Sequence, residues 1–322
     1  MSRSYFLRKL FFALITVSAI LVINYFLFRV MPGDPVSMLV RNPKMSPEAV
    51  QKVRELFGLN KPWYEQFTIY IINLLKGDMG ISFIYRKPVS DIIVERLAAS
   101  LALTIIAELI AIGIGLFLGI IAAWKRGKRV DMLSMGFSLI TYAMPTFWLG
   151  VLMIALFSVN LRLFPTSGMI SPEYVFTKGL IRLKNIGWHI FLPAITLSLV
   201  LIGEYMLVMR STLIEVLTED YIVTAEAKGM DKKSVLKRHA LPNAMIPMVT
   251  LISMNLGFTI TGALQVETVF SWPGLGRLMY DALQARDYPL LQGIFLIISL
   301  CVVGANFISD IMYGYLDPRV KS

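Results

Sequence analysis

The sequence predicts an all-α integral membrane protein with six transmembrane helices. Three observations carry that expectation: a mean hydropathy of +0.67, 56% apolar against 16% charged residues in a chain of 322, and six long runs almost free of charge. Soluble globular domains hold about 45–50% apolar and about 25% charged residues, so this balance belongs to a chain dissolved largely in lipid. Disordered, collagen-like and disulfide-built classes are excluded. A single cysteine, Cys301, cannot close an internal disulfide, and its place in an apolar run suits packing.

A helix crossing about 30 Å of hydrocarbon needs roughly 20 mostly apolar residues, because every backbone polar group must be satisfied within the segment. Leu10–Phe28 has no charge, Leu97–Trp124 holds only Glu108, and Leu133–Leu161 has none. Asn185–Gly203 is uncharged apart from the titratable His189, His239–Val266 apart from His239, and Tyr288–Ser309 has no charged side chain. The runs are continuous rather than alternating, which excludes a β-barrel. Arg3, Arg8 and Lys9 ahead of the first run resemble the start of a signal peptide. That run is too long and lacks a small-x-small cleavage site, so it is expected to stay as the first span.

The net charge of +10 is spread between uncharged runs instead of clustered on one surface, so it fits membrane flanks and no nucleic-acid partner is expected. With the N-terminus inside, the inner segments hold fifteen Lys and Arg and the short outer segments six. By the positive-inside rule both termini are cytoplasmic. The other ten lie between Arg29 and Arg96, in a long external segment that the rule does not count. There Ser46 can cap a helix that has Pro47 at its first position, Glu48 near its positive end and Gly58 as its stop. Gly77-Asp78-Met79-Gly80 reads as a tight turn, and Pro88–Leu97 as an amphipathic approach to the second span.

The inner loop from Arg210 to Asn243 has its own pattern. Tyr221–Lys228 has helical character, Gly229 suits a left-handed stop, and Ser234–Ala240 restarts a basic helix before Leu241-Pro242. The result is a short helix across the cytoplasmic face. Ala225 and Ala227 leave small side chains beside Glu226, so the helix can enter a groove on another protein. Its Lys and Arg residues equally suit anionic headgroups of membrane lipid.

This loop resembles the cytoplasmic signature of permease subunits of binding-protein-dependent ABC importers. The match is Thr224-Ala225-Glu226-Ala227-Lys228-Gly229, followed by Arg238-His239-Ala240-Leu241-Pro242-Asn243-Ala244. It departs from the general pattern in lacking the first Glu and in its shorter spacing to Gly229, and is similar to the dipeptide and oligopeptide (peptide/nickel) branch. Met31-Pro32-Gly33-Asp34-Pro35, Gly77-Asp78-Met79-Gly80 with Ser82, Glu95-Arg96-Leu97 and Phe270 to Arg277 resemble that branch's first permease. The resemblance implies a type I importer fold: residues 1–96 as a first helix plus external region, and 97–317 as the transmembrane domain with a coupling loop at about 210–243. It also implies a second permease, two ATPase subunits that bind ATP and Mg, and an extracytoplasmic solute-binding protein, all at a prokaryotic cytoplasmic membrane. Tyr221, Thr224, Ala225, Glu226, Ala227, Lys228 and Gly229 would then couple this chain to the ATPase. Peptides are the implied cargo, with nickel, glutathione or oligosaccharides carried by relatives.

No P-loop pattern occurs, so ATP is not expected to bind here. Two histidines and one cysteine offer no metal constellation, no nucleophile sits at a useful spacing from a base, and neither a cofactor nor an enzymatic activity is expected. An ion-coupled carrier, the other transport class, would show internal repeats, and the two halves show none. Gly115-x-x-x-Gly119 suits close helix packing. Glu108 and Glu204 should face protein or water, Glu108 as a structural hydrogen-bonding group. Pro145 and Pro193 are expected to interrupt the third and fourth spans, while Pro242 and Pro247 open the fifth. Asn255, Gly257, Thr259 and Thr261 make the fifth span the most polar, fit either to line the pathway or to bind helices together. Trp272-Pro273-Gly274 is expected to form an external turn at the rim of a gate.

Overall fold

The computed structural model describes residues 3–30 and 60–316, with side chains for 4–28, 60–256 and 263–311. The Met31–Pro35 motif and the helix expected after Ser46 lie outside these residues. Among the described residues eleven α-helices follow one another: α1 (Arg3–Val30), α2 (Trp63–Leu75), α3 (Val89–Trp124), α4 (Arg129–Ala143), α5 (Thr146–Met153), α6 (Leu180–Val216), α7 (Asp220–Ala227), α8 (Lys232–Val235), α9 (Leu241–Val269), α10 (Leu275–Gln284) and α11 (Tyr288–Leu316). Wider π turns extend α5 through Asn160 and join α8 to α9. Among the described residues the only β pairing is an isolated bridge between Ile81 and Pro88.

The expected six spans become four or five by length and composition. Among the described residues α1, α3, α6 and α11 are each long and apolar enough to cross a membrane, and α4 with α5 makes a fifth if counted as one bent span. The bend is 105°. Pro145 causes it: proline lacks an N–H and forces the preceding residue out of the helical region, and Met144 is extended at φ −75°, ψ 132°. Pro193, by contrast, sits inside an unbroken α6. The fifth expected span corresponds to α9, helical over 29 residues, of which 257–262 lie outside the described side chains.

Helix α6 is the centre of the bundle, packed by α3, α4, α5 and α9, while α1 lies outside and leans on α11. Glycine sets the closest approaches. A Cβ on Gly115 would sit 2.6 Å from the Tyr205 Cβ, and one on Gly119 2.7 Å from the Met209 Cβ, so α3 and α6 pack backbone against side chain. This is the close packing expected of the pair. On the other side of α6, a Cβ on Gly203 would meet the Ser138 carbonyl oxygen of α4 at 2.6 Å. Along α1, Lys9 pairs with Asp310 at 2.7 Å and the Tyr5 hydroxyl donates to the Asp310 carbonyl, while Asn24 donates to the Gln292 carbonyl near the opposite end of α11.

Replacing Gly119 by Leu should force α3 from α6 and cost about 1–3 kcal/mol, the usual cost of overpacking. The check is the thermal unfolding midpoint of the purified protein in detergent. Gly113→Ala, whose Cβ would meet nothing within 4 Å, should leave that midpoint unchanged.

Candidate functional site

The inner loop folds as the sequence pattern dictates. Glu219 enters α7 in an extended conformation and Asp220 places a negative charge at its positive end. The helix stops at Gly229, whose φ of +81° is ready for glycine and strained for other residues. Its N–H donates to the Glu226 carbonyl at 2.9 Å, and that of Met230 to the Ala225 carbonyl at 3.3 Å, closing the last turn. Asp231 then caps α8, its carboxylate accepting from the Ser234 N–H at 3.1 Å. Hydrogen bonds from the Ser234 side chain and backbone hold the Asp231 carboxyl below the usual carboxylate range. The cap is complete above that range and is lost only as pH falls through the lowered value. Burial and the charge of Glu219 push the Tyr221 phenol up.

The structure divides the expected coupling residues by face. Ile222 and Ala225 are buried in an apolar cluster with Leu213, Met209 and Tyr205 of α6, Ala123 of α3, Val235 of α8 and Ala240, Ala244 and Met248. Tyr221, Thr224, Glu226, Ala227, Lys228 and Gly229 are exposed. The alanine pair expected to flank a docking surface is therefore split: Ala225 seats the helix on its own bundle, and only Ala227 lies on the open side. The seat joins α7 to the same cluster that locks α3 onto α6.

A part-buried ion pair completes this end. Arg210 of α6 donates to both carboxylate oxygens of Asp131 at 2.5 and 2.8 Å, and Asp131 also accepts from the Gly127 N–H at 2.9 Å. The pair ties the turn between α3 and α4 to the central helix. Sequence reasoning counted Arg210 as loop charge and missed its partner; the available signal was Asp131 as the last charge before the uncharged run beginning at Leu133.

In the middle of the bundle, the Tyr205 hydroxyl donates to Glu108 Oε1, which gives Glu108 the structural hydrogen bond expected of it. Asn255 of α9 donates to Glu204 at 2.9 Å. Gly257, Thr259 and Thr261, expected beside Asn255 on the pathway, fall outside the described side chains.

At the other end, the Trp272-Pro273-Gly274 turn is clamped into the protein. Trp272 is fully buried, its indole N–H donating to the Ala99 carbonyl at 2.9 Å. Gly274 leaves room for Glu267, whose carboxylate accepts from Ser100 at 2.6 Å and from the Gly276 and Arg277 N–H groups at 2.7 and 3.2 Å, capping α10. The rim expected of these three residues is thus a fixed corner against α3. Asp287 acts in the same way at the next helix, accepting from Ser82 at 2.5 Å and from the Ile84 and Leu290 N–H groups. It joins the turn after Gly80 to the start of α11. The loop before α6, tied to the Trp272 turn by the Gly168 N–H donating to the Phe270 carbonyl, is held by His189, whose Nδ1 donates to the Gly168 carbonyl at 3.0 Å and whose Nε2 meets the Ser171 hydroxyl at 2.9 Å.

Residues 115–322 match the family described as binding-protein-dependent transport system inner membrane component, and residues 1–104 match its N-terminal companion. The chain belongs to this family of transport-system membrane components. The permease is 37% identical to the dipeptide transport system permease protein DppB of Escherichia coli K12, over 98% of each chain. It is 36% identical to the di/tripeptide permease DppB of Pseudomonas aeruginosa UCBPP-PA14 over 99% of this chain and 98% of that one, and 36% identical to the glutathione permease GsiC of Escherichia coli K12 over 99% of each. Among solved structures, an inward-facing crystal form of the MetNI methionine ABC transporter matches with a TM-score of 0.57 and 16% identity, over 70% of this chain and 96% of that one. That likeness shows an ABC-importer-like fold for the permease.

Asp131→Asn would leave the Arg210 guanidinium without its counter-charge. The expected cost is about 3 kcal/mol, the lower end for breaking a buried pair, because Arg210 keeps some contact with solvent. A thermal midpoint measured against Asp131→Asn combined with Arg210→Met checks it: the double variant should recover much of the loss.

Proposed function

We propose that this chain is one membrane permease of an ABC importer that moves peptides into the cell. The observation that carries the reading is the short helix α7, with one face seated on the apolar cluster of α3 and α6 and the other face open. A separate ATPase subunit binding ATP and Mg would receive Tyr221, Thr224, Glu226, Ala227 and Lys228. Its closure on nucleotide would then move the bundle through Ile222 and Ala225. In this reading a bound partner shifts the equilibrium between two arrangements of the spans by gripping one of them better.

The assembly would contain a second permease, two ATPases and an extracytoplasmic solute-binding protein. Relatives named for dipeptides, di/tripeptides and glutathione support a peptidic cargo. We place the protein in a prokaryotic cytoplasmic membrane, with six spans and both termini inside. Residues 1–96 would form an outer helix with an external region, and 97–317 the transmembrane domain. Asn255, Gly257, Thr259 and Thr261 would line the pathway, and Trp272, Pro273 and Gly274 would hold the fixed side of the external gate.

Ala227→Trp and Gly229→Pro are the informative variants, since Ala225→Trp would overpack the seat itself. In the reconstituted assembly both should lower peptide-stimulated ATP hydrolysis by about tenfold or more, a loss of at least 1.4 kcal/mol of coupling, while membrane insertion stays normal. Stimulation that persists in both removes α7 as the docking element. Orientation is checked separately with Ser234→Cys, which an impermeant thiol reagent should label from the cytoplasmic side alone.

A further inference from the structure

Helix α2 turns apolar side chains outward and polar ones inward. Trp63, Tyr64, Ile72 and Leu75 are exposed, Leu75 by 84%. Gln66, Tyr70 and Asn73 instead line a cavity of about 270 Å³ together with Gln292 of α11. From Gln66 to Leu75 the helix carries no charge; Lys61 and Glu65 pair at 3.9 Å ahead of that stretch, and Lys76 follows it. A helix lying on a bundle in water shows the reverse arrangement, its apolar stripe toward the protein.

Its contacts with α1 give its direction and its level. The Tyr25 hydroxyl donates to the Trp63 carbonyl at 3.0 Å, the Tyr25 ring meets those of Phe67 and Tyr70 at 5.1 and 5.6 Å, Phe26 meets Trp63 at 5.9 Å, and Asn24 donates to the Tyr70 hydroxyl at 3.3 Å. At 1.5 Å per residue these contacts take up about 3 Å of α1 and about 10 Å of α2, so α2 crosses α1 instead of running beside it. The charge-free run of α1, Leu10–Phe28, is about 28 Å long at the same rise, which leaves little slack in about 30 Å of hydrocarbon. Tyr25 stands about 5 Å from the end of that run. A helix lying across the span at this level sits where acyl chains meet headgroups, the depth of about 5–10 Å at which interfacial helices bury their apolar face. Phe26, itself exposed, touches Trp63, so the open apolar surface of α1 continues onto α2.

We infer that α2 is an interfacial anchor, laid in the membrane surface at the C-terminal end of α1, with Ile72 and Leu75 against the acyl chains of phospholipid. Trp63 and Tyr64 take the headgroup level, where such rings gather. A soluble partner does not reach a face held below the headgroups, and the uncharged stretch offers it no ion pair. The turn after α2 bonds Ser82 to Asp287, so the anchor holds the start of α11 at a set height against the membrane surface.

The test uses the complete importer in phosphatidylethanolamine–phosphatidylglycerol vesicles, with nitroxide labels placed one at a time at Ile72→Cys and Leu75→Cys in a Cys301→Ser background. Ile23→Cys, on the exposed side of α1, and Lys61→Cys serve as the lipid and water references. Oxygen gathers among acyl chains and a water-soluble nickel chelate is kept out of them, so the ratio of their collision rates with the label reports its surroundings. At both positions the ratio should match that at Ile23 and exceed that at Lys61 by about threefold or more, with the solute-binding protein present or absent. A chelate that reaches residues 72 and 75 as freely as residue 61 overturns the inference. Labels that neither reagent reaches also overturn it and assign the face to another subunit, as does a ratio that changes when the solute-binding protein is added.

Discussion

The constraint on which the rest depends is the contact between α3 and α6 at Gly115 and Gly119. Without side chains there, Tyr205 and Met209 reach the α3 backbone, and the two longest helices become one body. The elements at the α7 end are attached to that body. Ile222 and Ala225 seat α7 on the cluster that includes Met209 and Leu213, while the Asp131–Arg210 pair fastens the start of α4 to α6. A push on α7 therefore has a rigid object to move. A short helix carrying the same exposed residues on a flexible loop would transmit nothing.

The opposite end is built differently. There buried carboxylates, rather than apolar contact alone, fix the corners: Glu267 caps α10 through Ser100, and Asp287 caps the start of α11 through Ser82. Glu267 satisfies two backbone N–H groups at the start of α10, and Asp287 satisfies one at the start of α11 and one in the turn after Gly80, groups that are costly to leave without partners where water is scarce. The bundle thus has a polar clamp at one end and an apolar seat at the other. Motion imposed at the seat would be referred to the corners at the far end.

Much of this was legible in the sequence. The apolar runs located the long helices, Pro145 marked the break, Gly229 ended α7, and Gly115 with Gly119 announced close packing, because each rests on local chemistry. What stayed hidden depends on distant partners. The position of Asp131 beside an uncharged run marks it as a group in need of a partner but does not name Arg210, and nothing near Glu267 names Ser100, since both pairs form only after the helices assemble. The division of Ala225 from Ala227 was equally unreadable: alanine fits either face, and only the position of α6 decides. Pro193 differs from Pro145 in that α6 stays helical through it.

The claim that α7 and the α3–α6 pair move as one body is tested most directly by a distance. Spin labels at Lys125→Cys, at the C-terminal end of α3, and Lys228→Cys, at the end of α7, can be measured by pulsed electron resonance in the assembled importer with and without ATP, in a Cys301→Ser background. The account expects this distance to stay constant through the cycle while distances between the two permeases change. A distance between residues 125 and 228 that shifts with nucleotide would contradict it.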